Sequence, residues 1–300
     1  MVRARKFPTP STAGIGGAGA SPFRRNGGGG APEPRKALSI QNCRKKRKRK
    51  VPLLAHSPIF LYTDHMANPR LFGIIDKAVY DYGMIEKGDK LLVGASGGKD
   101  STALIEYLAK RLQRKEEDFT FTALHIQSEI TPLLPKAISC LFEKWNVPLV
   151  SIYVNVLGRL KPGKKMNCFW CATQRRTELL DYAIKNGYTK LVLGHHLDDI
   201  LETLLMNILG KAALCTMPPL LKYKKYPLAV IRPLYYAPVH LISEHCAANG
   251  YLTQTCTCTY QDNSTRKEAR RQLELLTGGD DIKKRHILQS LKNIQTEYLP

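Results

Sequence analysis

The sequence predicts an α/β fold in which helices cover both faces of a doubly wound, mainly parallel β-sheet. From residue 66 onward, short apolar runs that suit buried parallel strands alternate with segments of helical apolar spacing. Two of these runs end in glycine-bearing turns, and such sheets bind ligands at the carboxyl ends of their strands. The chain has 300 residues, 43% of them hydrophobic, which suffices for a substantial core. No apolar run approaches the roughly 18–20 residues of a membrane helix, so we expect no membrane partner.

Residues 1–65 are predicted to be a disordered basic extension. They are rich in glycine and proline, and residues 44–50 form an unbroken basic run that is typical of a nuclear-import signal or an RNA-binding arm. They carry 14 of the 46 lysines and arginines but only two acidic residues, and the rest of the chain is also basic, which favours a polyanionic partner such as RNA. Because Met66 directly precedes the first amphipathic segment, the extension is expected to be dispensable or absent from the native protein.

The folded part is predicted to span residues 66–280, with a C-terminal tail over residues 281–300. Its first helix covers residues 70–82, where apolar side chains recur at helical spacing until Gly83 ends it. Strands are predicted over residues 90–96, 119–126, 148–154 and 190–194. Further helices are predicted over residues 101–114, 135–144, 175–185 and 198–209. Because strands and helices alternate, the strands are predicted to pair in parallel.

A glycine-rich turn after the first predicted strand has the chemistry of a phosphate-binding loop. Residues 94–101 read Gly-Ala-Ser-Gly-Gly-Lys-Asp-Ser. Glycines let successive backbone N–H groups point into one concavity, and the following helix N-terminus adds partial positive charge. The loop is not a Walker A motif, because only three residues separate Gly94 from Gly98 and Asp100 follows the lysine. The nucleotide-binding residues predicted here are Ser96, Gly97, Gly98, Lys99, Asp100 and Ser101.

The string Ser-Gly-Gly-Lys-Asp-Ser after an apolar strand resembles the PP-loop of the ATP pyrophosphatase superfamily, which has the adenine nucleotide alpha hydrolase-like fold. Members of this superfamily cleave ATP between its α- and β-phosphates and adenylylate a substrate. The resemblance therefore implies that the protein uses ATP and that Lys99 contacts a phosphate. A purely structural glycine turn is the alternative interpretation.

Residues 194–199, Gly-His-His-Leu-Asp-Asp, form a second polar cluster between a strand and a helix. Two adjacent carboxylates at a phosphate site suit Mg²⁺, which takes one or two protein carboxylates and keeps several waters. Asp198 could instead be only the helix N-cap, but a PP-loop on another strand of the same sheet favours the metal interpretation. Asp100 and Asp198 are predicted to be metal or base residues. His196 and Asp199 are predicted to contact the nucleotide and its metal ion.

Two close pairs stand out among the eight cysteines, Cys168/Cys171 and Cys256/Cys258. The chain start lacks the apolar region of a signal peptide, so the pairs indicate metal or redox chemistry in a reducing, cytoplasmic compartment. A lone Cys-x-x-Cys fits a zinc half-site and a redox pair equally. An iron–sulfur cluster on three thiolates would leave one iron open to an external sulfur. Four cysteines are interpreted as small buried or incidental residues, namely Cys43, Cys140, Cys215 and Cys246.

The order of motifs makes the resemblance more specific. Cys168-x-x-Cys171 is followed by Arg175-Arg176, by the Gly-His-His-x-Asp-Asp segment, by Met217-Pro218-Pro219, by Arg232-Pro233-Leu234, and by a late cysteine near Arg266. In this order the set resembles the tRNA 2-thiocytidine synthetases, the TtcA group, over residues 70–276. That resemblance implies Mg²⁺-ATP at the PP-loop, a 4Fe–4S cluster on three cysteines, and thiolation of a cytidine at position 32 of the tRNA anticodon loop.

By position, the resemblance gives the cluster ligands as Cys168, Cys171 and Cys256, with Cys258 as the alternative third ligand. The one-residue spacing between Cys256 and Cys258 departs from the family's usual Cys-x-x-Cys. Lys99, Asp100 and Asp198 are the implied catalytic residues. The implied partners are tRNA and a sulfur donor such as a cysteine desulfurase, and a homodimer is one oligomeric state considered.

Other functions remain open at this point. A uridine 2-thiolase of the related PP-loop group shares the loop and the cluster, but typically carries additional Cys/His zinc modules near its termini. A lysidine-synthetase-like ligase would not need the cysteines. A non-enzymatic RNA-binding iron–sulfur protein would not need the intact Ser96–Ser101 loop and the carboxylates at 198 and 199.

Overall fold

The computed structural model describes residues 69–114, 117–131, 133–163, 165–224, 226–251 and 264–298. The predicted basic extension and the two predicted third ligands, Cys256 and Cys258, lie outside these residues. In the described part of the chain, eight α-helices and six β-strands follow one another. The helices are α1 (Arg70–Asp81), α2 (Lys99–Arg111), α3 (Lys136–Lys144), α4 (Cys168–Lys185), α5 (Leu197–Lys211), α6 (Val239–Ala248), α7 (Ser264–Thr277) and α8 (Asp281–Ser290). The strands are β1 (Asp89–Gly94), β2 (Phe119–Gln127), β3 (Leu149–Tyr153), β4 (Lys190–Val192), β5 (Leu220–Lys222) and β6 (Ala229–Ile231).

All six strands form one sheet in the order β3-β2-β1-β4-β6-β5. Every pairing is parallel except that of β5 with β6, where the edge strand β5 runs antiparallel. The predicted α/β class with a mainly parallel sheet is therefore confirmed. After β3 the chain returns to the other side of β1, so the direction of winding reverses between β1 and β4. Parallel sheets bind ligands beyond the carboxyl ends of the strands at such a reversal.

The two faces of the sheet are both covered, as strand alternation requires. Leu91 and Val93 of β1 face a core built with α1, α2 and α5, in which Ile75, Leu104 and Leu201 are fully buried. Leu92 points to the opposite face, where it packs in a second core with Leu179 and Ala183 of α4. Buried apolar residues on both sides explain why β1 reads as a continuous hydrophobic run.

Helix α4 begins seven residues earlier than the sequence predicts. Asn167 is its N-cap, and the Asn167 side chain accepts a hydrogen bond of 2.8 Å from the backbone N–H of Trp170. The Cys168–Cys171 pair therefore lies on the first helical turn and not in a loop. Helix α2 likewise starts at Lys99, so the lysine and aspartate of the glycine-rich loop already belong to the helix.

The C-terminal part of the chain adds α6, α7 and α8 to the first of the two cores. Leu273 of α7 and Leu288 of α8 are buried there, together with residues of α5. The residues assigned to a C-terminal tail from the sequence thus include the helix α8, which packs against α5. None of the helices in the described residues is long and apolar enough to cross a membrane.

Candidate active site

The glycine-rich loop forms a tight turn at the carboxyl end of β1, and hydrogen bonds within the loop stabilise this turn. Gly97 has φ of 81°, a conformation that favours glycine. The Ser96 and Ser101 hydroxyls lie 3.0 Å apart, the Gly98 N–H donates to Ser96 Oγ over 3.2 Å, and Ser101 Oγ donates to the Gly98 carbonyl over 3.1 Å. These hydrogen bonds fix the tight turn that precedes α2. The first backbone N–H groups of α2 have no partners within the helix. The loop can therefore bind an anion.

The second polar segment approaches this loop so closely that it leaves little room for a side chain at Gly194. A Cβ atom on Gly194 would lie 3.4 Å from the backbone carbon of Asp100 and from the backbone nitrogen of Ser101. The segment that follows β4 therefore lies close to the start of α2. This contact brings the two motifs predicted from the sequence into one site.

A row of charged and polar side chains connects the two motifs. Lys99 Nζ lies 2.6 Å from Asp100 Oδ1. His196 Nε2 lies 4.0 Å from Asp100 Oδ1 and 3.4 Å from Asp199 Oδ2. His196 is also the N-cap of α5, where its side chain and that of Asp199 form a reciprocal capping box. Asp100 and Asp199 thus face the same buried imidazole from two different helices.

Asp198 is engaged by the protein's own donors. Its Oδ1 accepts a hydrogen bond of 2.8 Å from Lys284 Nζ on α8, and its Oδ2 accepts one of 2.8 Å from the backbone N–H of Val239 at the start of α6. Burial alone would raise the pKa of Asp198, but Lys284 and the Val239 N–H outweigh burial and hold the pKa below its usual value. Asp198 is therefore a carboxylate that fixes α6 and α8 to α5.

Asp199 forms an ion pair with α7. Arg266 Nη1 lies 2.9 Å from Asp199 Oδ1 and 3.5 Å from Oε2 of the buried Glu202. Arg270 Nε lies 2.7 Å from the other carboxylate oxygen of Glu202. Two arginines of α7 thus neutralise two acidic residues of α5. This arrangement leaves one side of Asp199 directed at the imidazole of His196.

A cavity of about 260 Å³ opens beside the glycine-rich loop. Its walls come from the loop, from the end of β2, from α4 and from the segment after β4. The lining includes Gly94, Ala95, Ser96, Asp100, Ser101, Leu124, His125, Ile126, Thr131, Ala172, Arg175, Arg176, Leu179, Leu193, Gly194 and His195. The lining combines polar and apolar side chains, as expected for a site that holds phosphates together with a base.

His195, to which the sequence assigned no specific role, lines this cavity, while His196 is buried under the start of α5. Burial lowers the pKa of His195 to about 4, although the nearby Asp199 opposes the shift. His195 is thus neutral at physiological pH, and its Nδ1 is buried without a hydrogen-bond partner in the described residues. The side chains of adjacent residues point in different directions at a strand end. The sequence does not reveal which of the two histidine side chains faces the cavity.

The cavity also contains guanidinium groups from α4. Arg175 and Arg176 line it, and neither forms an ion pair with an acidic residue of the described segments. Arg175 Nε is buried and has no hydrogen-bond partner there. Burial, together with the positive charge of Arg176, lowers the pKa of Arg232 to about 10. Concentrated positive charge in a cavity attracts phosphate groups.

Cys168 and Cys171 lie one turn before Ala172 and Arg175, so the pair adjoins the wall of the cavity. Both are half-buried cysteines on the first turn of α4. Within the described residues no group of three or more His, Cys, Asp or Glu side chains converges as a metal site. The pair therefore supplies two thiolates that fit a metal cluster and requires a ligand from elsewhere. Phe169 between them is 81% exposed.

Fold and cavity together define a PP-loop protein that binds ATP, and a family described as PP-loop domain matches residues 73–274. The tRNA-cytidine(32) 2-sulfurtransferase of Polynucleobacter necessarius is 34% identical over 212 residues, which is 69% of this chain and 70% of that protein. The enzyme of the same name from Anaeromyxobacter sp. strain K is 30% identical over 239 residues, covering 78% and 82%. The chain belongs to the PP-loop family of the tRNA-cytidine(32) 2-sulfurtransferases, and it is thus a member of an enzyme family.

Solved structures agree with this fold. The U34-tRNA thiolase NcsA from Methanococcus maripaludis, solved with its [4Fe-4S] cluster, superposes with a TM-score of 0.64 at 19% identity. The superposition covers 77% of this chain and 80% of the thiolase. At this identity the likeness shows a shared fold.

Proposed function

We propose that this protein is an ATP-dependent tRNA sulfurtransferase that converts a cytidine at position 32 of the anticodon loop into 2-thiocytidine. One observation carries the proposal beyond ATP binding. The Cys168–Cys171 turn and the PP-loop adjoin a single cavity, because α4 continues from the two thiols directly into the cavity wall at Ala172 and Arg175. A site for activating a base and a site for delivering sulfur are thus next to each other.

The PP-loop positions ATP for attack at its α-phosphorus. The N–H groups at the start of α2, together with Lys99, contact the phosphates and stabilise the charge that develops on them. O2 of the cytosine forms a bond to the α-phosphorus, the bond from that phosphorus to the bridging oxygen breaks, and pyrophosphate leaves with the electron pair. When a hydrosulfide ion then bonds to C2, the C2–O2 bond breaks, the base oxygen departs as part of AMP, and the proton of the hydrosulfide is released. Such transfers depend on alignment and charge neutralisation.

Asp100 and Asp199 are the carboxylates that we assign to Mg²⁺. They meet at His196 from two helices, and Mg²⁺ prefers one or two carboxylates together with phosphate oxygens. When bound, the ion would neutralise phosphate charge. The sequence-based assignment of Asp198 as catalytic stays a prediction; since Lys284 and Val239 engage its two oxygens, we propose that it positions α5 and the neighbouring Asp199.

Cys168 and Cys171 would hold a 4Fe–4S cluster together with Cys256, for which Cys258 is the alternative. Two cysteines three positions apart on the first turn of a helix fit this group because their side chains lie on one face of the helix. When bound, a cluster held by three thiolates would leave one iron open to a hydrosulfide, which a donor such as a cysteine desulfurase would supply together with a thiol reductant. The protein's own contribution is to keep the thiols beside the cavity.

The anticodon loop is proposed to dock at the N-terminal end of α4. A target base must leave its stack to reach a cavity, and unstacked RNA bases are commonly held on aromatic side chains. Phe169 is largely exposed at this point. Arg175 and Arg176 supply the positive charge that phosphates require.

Single-turnover thiolation tests the proposal directly. The anaerobically purified protein, with ATP, a sulfide source and unmodified tRNA, should produce 2-thiocytidine that mass spectrometry of the nucleosides detects. Cys168→Ser should lose iron and product, whereas Cys215→Ser, at an exposed thiol after α5, should keep both. Formation of 2-thiouridine in place of 2-thiocytidine would identify a uridine thiolase. Full iron content and full activity in Cys168→Ser would refute the cluster assignment.

A further inference from the structure

The strands β5 and β6 form a hairpin whose turn carries an excess of positive charge. The strands pair antiparallel, and the Tyr223 N–H donates to the Leu228 carbonyl over 3.2 Å. Residues 222–228, which we call the basic hairpin, read Lys-Tyr-Lys-Lys-Tyr-Pro-Leu. No acidic residue occurs in the sequence between Glu202 and Glu244. Neighbouring residues in the sequence therefore do not neutralise this charge.

The lysine side chains of the basic hairpin point into solvent. Leu221 and Tyr223 pack against the second core, whereas Lys222 and Lys224 are exposed. Neither lysine forms an ion pair with a carboxylate of the described residues. Lys190 on the nearby strand β4 is by contrast buried and paired with two carboxylates. The charge of the hairpin is thus available to an anionic partner.

Two tyrosines alternate with these lysines. The ring centroids of Tyr223 and Tyr226 lie 6.1 Å apart, and the ring planes are inclined by 70°. Because Tyr223 is anchored in the second core, it supports Tyr226 at the surface, where Tyr226 is 48% exposed. Ammonium groups neutralise phosphates, and exposed aromatic rings contact the nucleotides between them. The combination favours a nucleic acid over a simple anion.

A structural use of edge lysines is the alternative. β5 is the last strand of the sheet, and charged side chains on such a strand prevent pairing with another chain. This accounts for Lys222, which belongs to the strand. It does not account for Lys224, which lies beyond the strand in the turn.

The basic hairpin lies at the opposite end of the sheet from the cavity. Strand β6 runs parallel to β4, and its first residue, Ala229, pairs with Lys222. The turn is therefore at the amino ends of the parallel strands, whereas the PP-loop follows the carboxyl end of β1. Three residues of strand and two strand spacings place the hairpin on the order of 15 Å from the cavity. One RNA molecule can reach both places.

We propose that the basic hairpin binds the phosphate backbone of the substrate RNA away from the target nucleotide. Lys222 and Lys224 neutralise phosphates, and Tyr226 packs against the sugar next to them. Phosphate contacts position an RNA without reading its sequence, so the choice of the target base stays with the cavity. The inference rests on RNA as the substrate class of the proposed function, but not on thiolation.

Fluorescence anisotropy with the full-length protein and unmodified tRNA tests this role. Lys222→Gln/Lys224→Gln should weaken tRNA binding at least threefold at moderate salt. The logarithmic slope of affinity against salt should become shallower by roughly 1.4–1.8, because each of two lost phosphate contacts contributes about 0.7–0.9. ATP affinity should stay the same, since the hairpin is far from the PP-loop.

Lys144→Gln/Lys185→Gln is the matched control. These lysines are the exposed last residues of α3 and α4, and the control removes the same number of charges. It should leave the salt slope unchanged. An equal loss in both double variants would reduce the effect to net charge and would overturn the proposal.

Thiolation kinetics separates RNA binding from a structural role. In the hairpin variant the KM for tRNA should rise, while kcat at saturating tRNA stays normal, because only uniform binding is lost. A lower kcat with reduced thermal stability would instead show that the lysines support the fold. If the unmodified protein forms no 2-thiocytidine, the proposed function fails, and the anisotropy measurement still decides the role of the hairpin.

The alternative of edge protection has its own signature. Unchanged tRNA affinity in the hairpin variant would overturn the proposal. If light scattering then showed that this variant forms dimers, the lysines would be assigned to protection of the sheet edge.

Discussion

Adjacent residues of the Gly194–Asp199 segment have different tasks. His195 lines the cavity, while His196 caps α5 and contacts Asp100 and Asp199. Asp198 is bonded to Lys284, and Asp199 to Arg266. Successive side chains at the start of a helix point about 100° apart, so neighbours meet different partners. The role of each residue therefore depends on the direction of its side chain, and contacts with helices later in the sequence fix that direction.

The neutral state of His195 gives a pH-dependent prediction. An unfolded histidine has a pKa of about 6.5, and burial lowers the pKa of His195 to about 4. The unfolded chain therefore takes up a proton first, and folded-state stability is lost as the pH falls from about 6.5 towards 4. For pKa values of this size the loss at pH 5 is about 2 kcal/mol.

His195→Gln should remove this loss. Urea unfolding at pH 7 and pH 5 should show a decrease in the free energy of unfolding that is about 2 kcal/mol smaller than in the unmodified protein. His286→Gln, at an exposed histidine of α8, is the control and should change little. The same acid-induced loss in all three proteins would contradict a buried neutral His195.

The buried Asp198–Lys284 pair gives a second prediction. Removing one partner of a buried ion pair leaves an uncompensated charge and costs about 3–5 kcal/mol. Lys284→Met should therefore lower the free energy of unfolding by that amount, whereas Lys283→Met, at the exposed neighbour on α8, should stay within about 0.5 kcal/mol. The double variant Asp198→Asn/Lys284→Met should recover part of the loss. A Lys284→Met protein as stable as the control would show that the pair does not form.

At the element scale, α5 is the helix on which the site depends. Its N-terminus presents His196 and Asp199, its flank holds Arg266 and Arg270 of α7 through buried Glu202, and Asp198 holds α8. A helix with this many partners cannot shift without moving the carboxylates. The segment after β4 brings the start of α5 close to α2 at Gly194, where an added Cβ would just reach contact distance.

Gly194 permits a prediction about this contact. In Gly194→Ala the added Cβ just reaches contact distance, so folding and ATP affinity should remain close to normal. The larger side chain in Gly194→Val has to push the start of α2 away, and ATP affinity should fall by at least about tenfold, or about 1.4 kcal/mol. Gly210→Val, near the end of α5 where a Cβ meets nothing within 4 Å, is the matched control. Isothermal titration with ATP measures all three, and normal affinity in Gly194→Val would contradict the close packing.

At the scale of the whole molecule, the parts visible in the sequence are those that local patterns define. Apolar runs and helical spacing predicted β1 to β4 and most of α1 to α5, because burial on a parallel sheet imposes those patterns. The strands β5 and β6 were not predicted. They are as short as β4, but no glycine-bearing turn like the one after β4 follows either of them. Helix α7 is rich in charge and docks through Arg266 and Arg270, so its packing depends on acidic residues more than 60 positions earlier.

The site was predictable to the same extent. The phosphate loop and the Asp198–Asp199 pair are each formed by consecutive residues. Both were therefore recognised from the sequence by their resemblance to known motifs. His195 could not be distinguished from His196 in the sequence, because its place in the cavity depends on the direction of its side chain after β4. Arg175 and Arg176 were visible as a pair, but their place in the cavity depends on α4 starting at Cys168.

The basic extension gives a prediction for the entire chain. Residues 1–65 carry 14 basic and two acidic residues, whereas the described fold starts at residue 69. Deleting them should leave the thermal unfolding temperature unchanged, but the dependence of tRNA affinity on salt should become shallower. The logarithmic slope should decrease by roughly 0.7–0.9 for each RNA phosphate that the extension neutralises. Fluorescence anisotropy between low and moderate salt measures the slope. An unchanged slope would show that the extension does not bind RNA.

The ion pair between Asp198 and Lys284 joins residues 86 positions apart, and this separation has a consequence for how the protein is made. As a ribosome proceeds from the N-terminus, the PP-loop and α5 emerge long before α8 exists. During that interval Asp198 lacks the ammonium group that stabilises its burial, so the packing of α5 against α8 is incomplete. We therefore expect completion of the nucleotide site to be a late event in biosynthesis, and a chain terminated before residue 284 to bind ATP more weakly than the full chain.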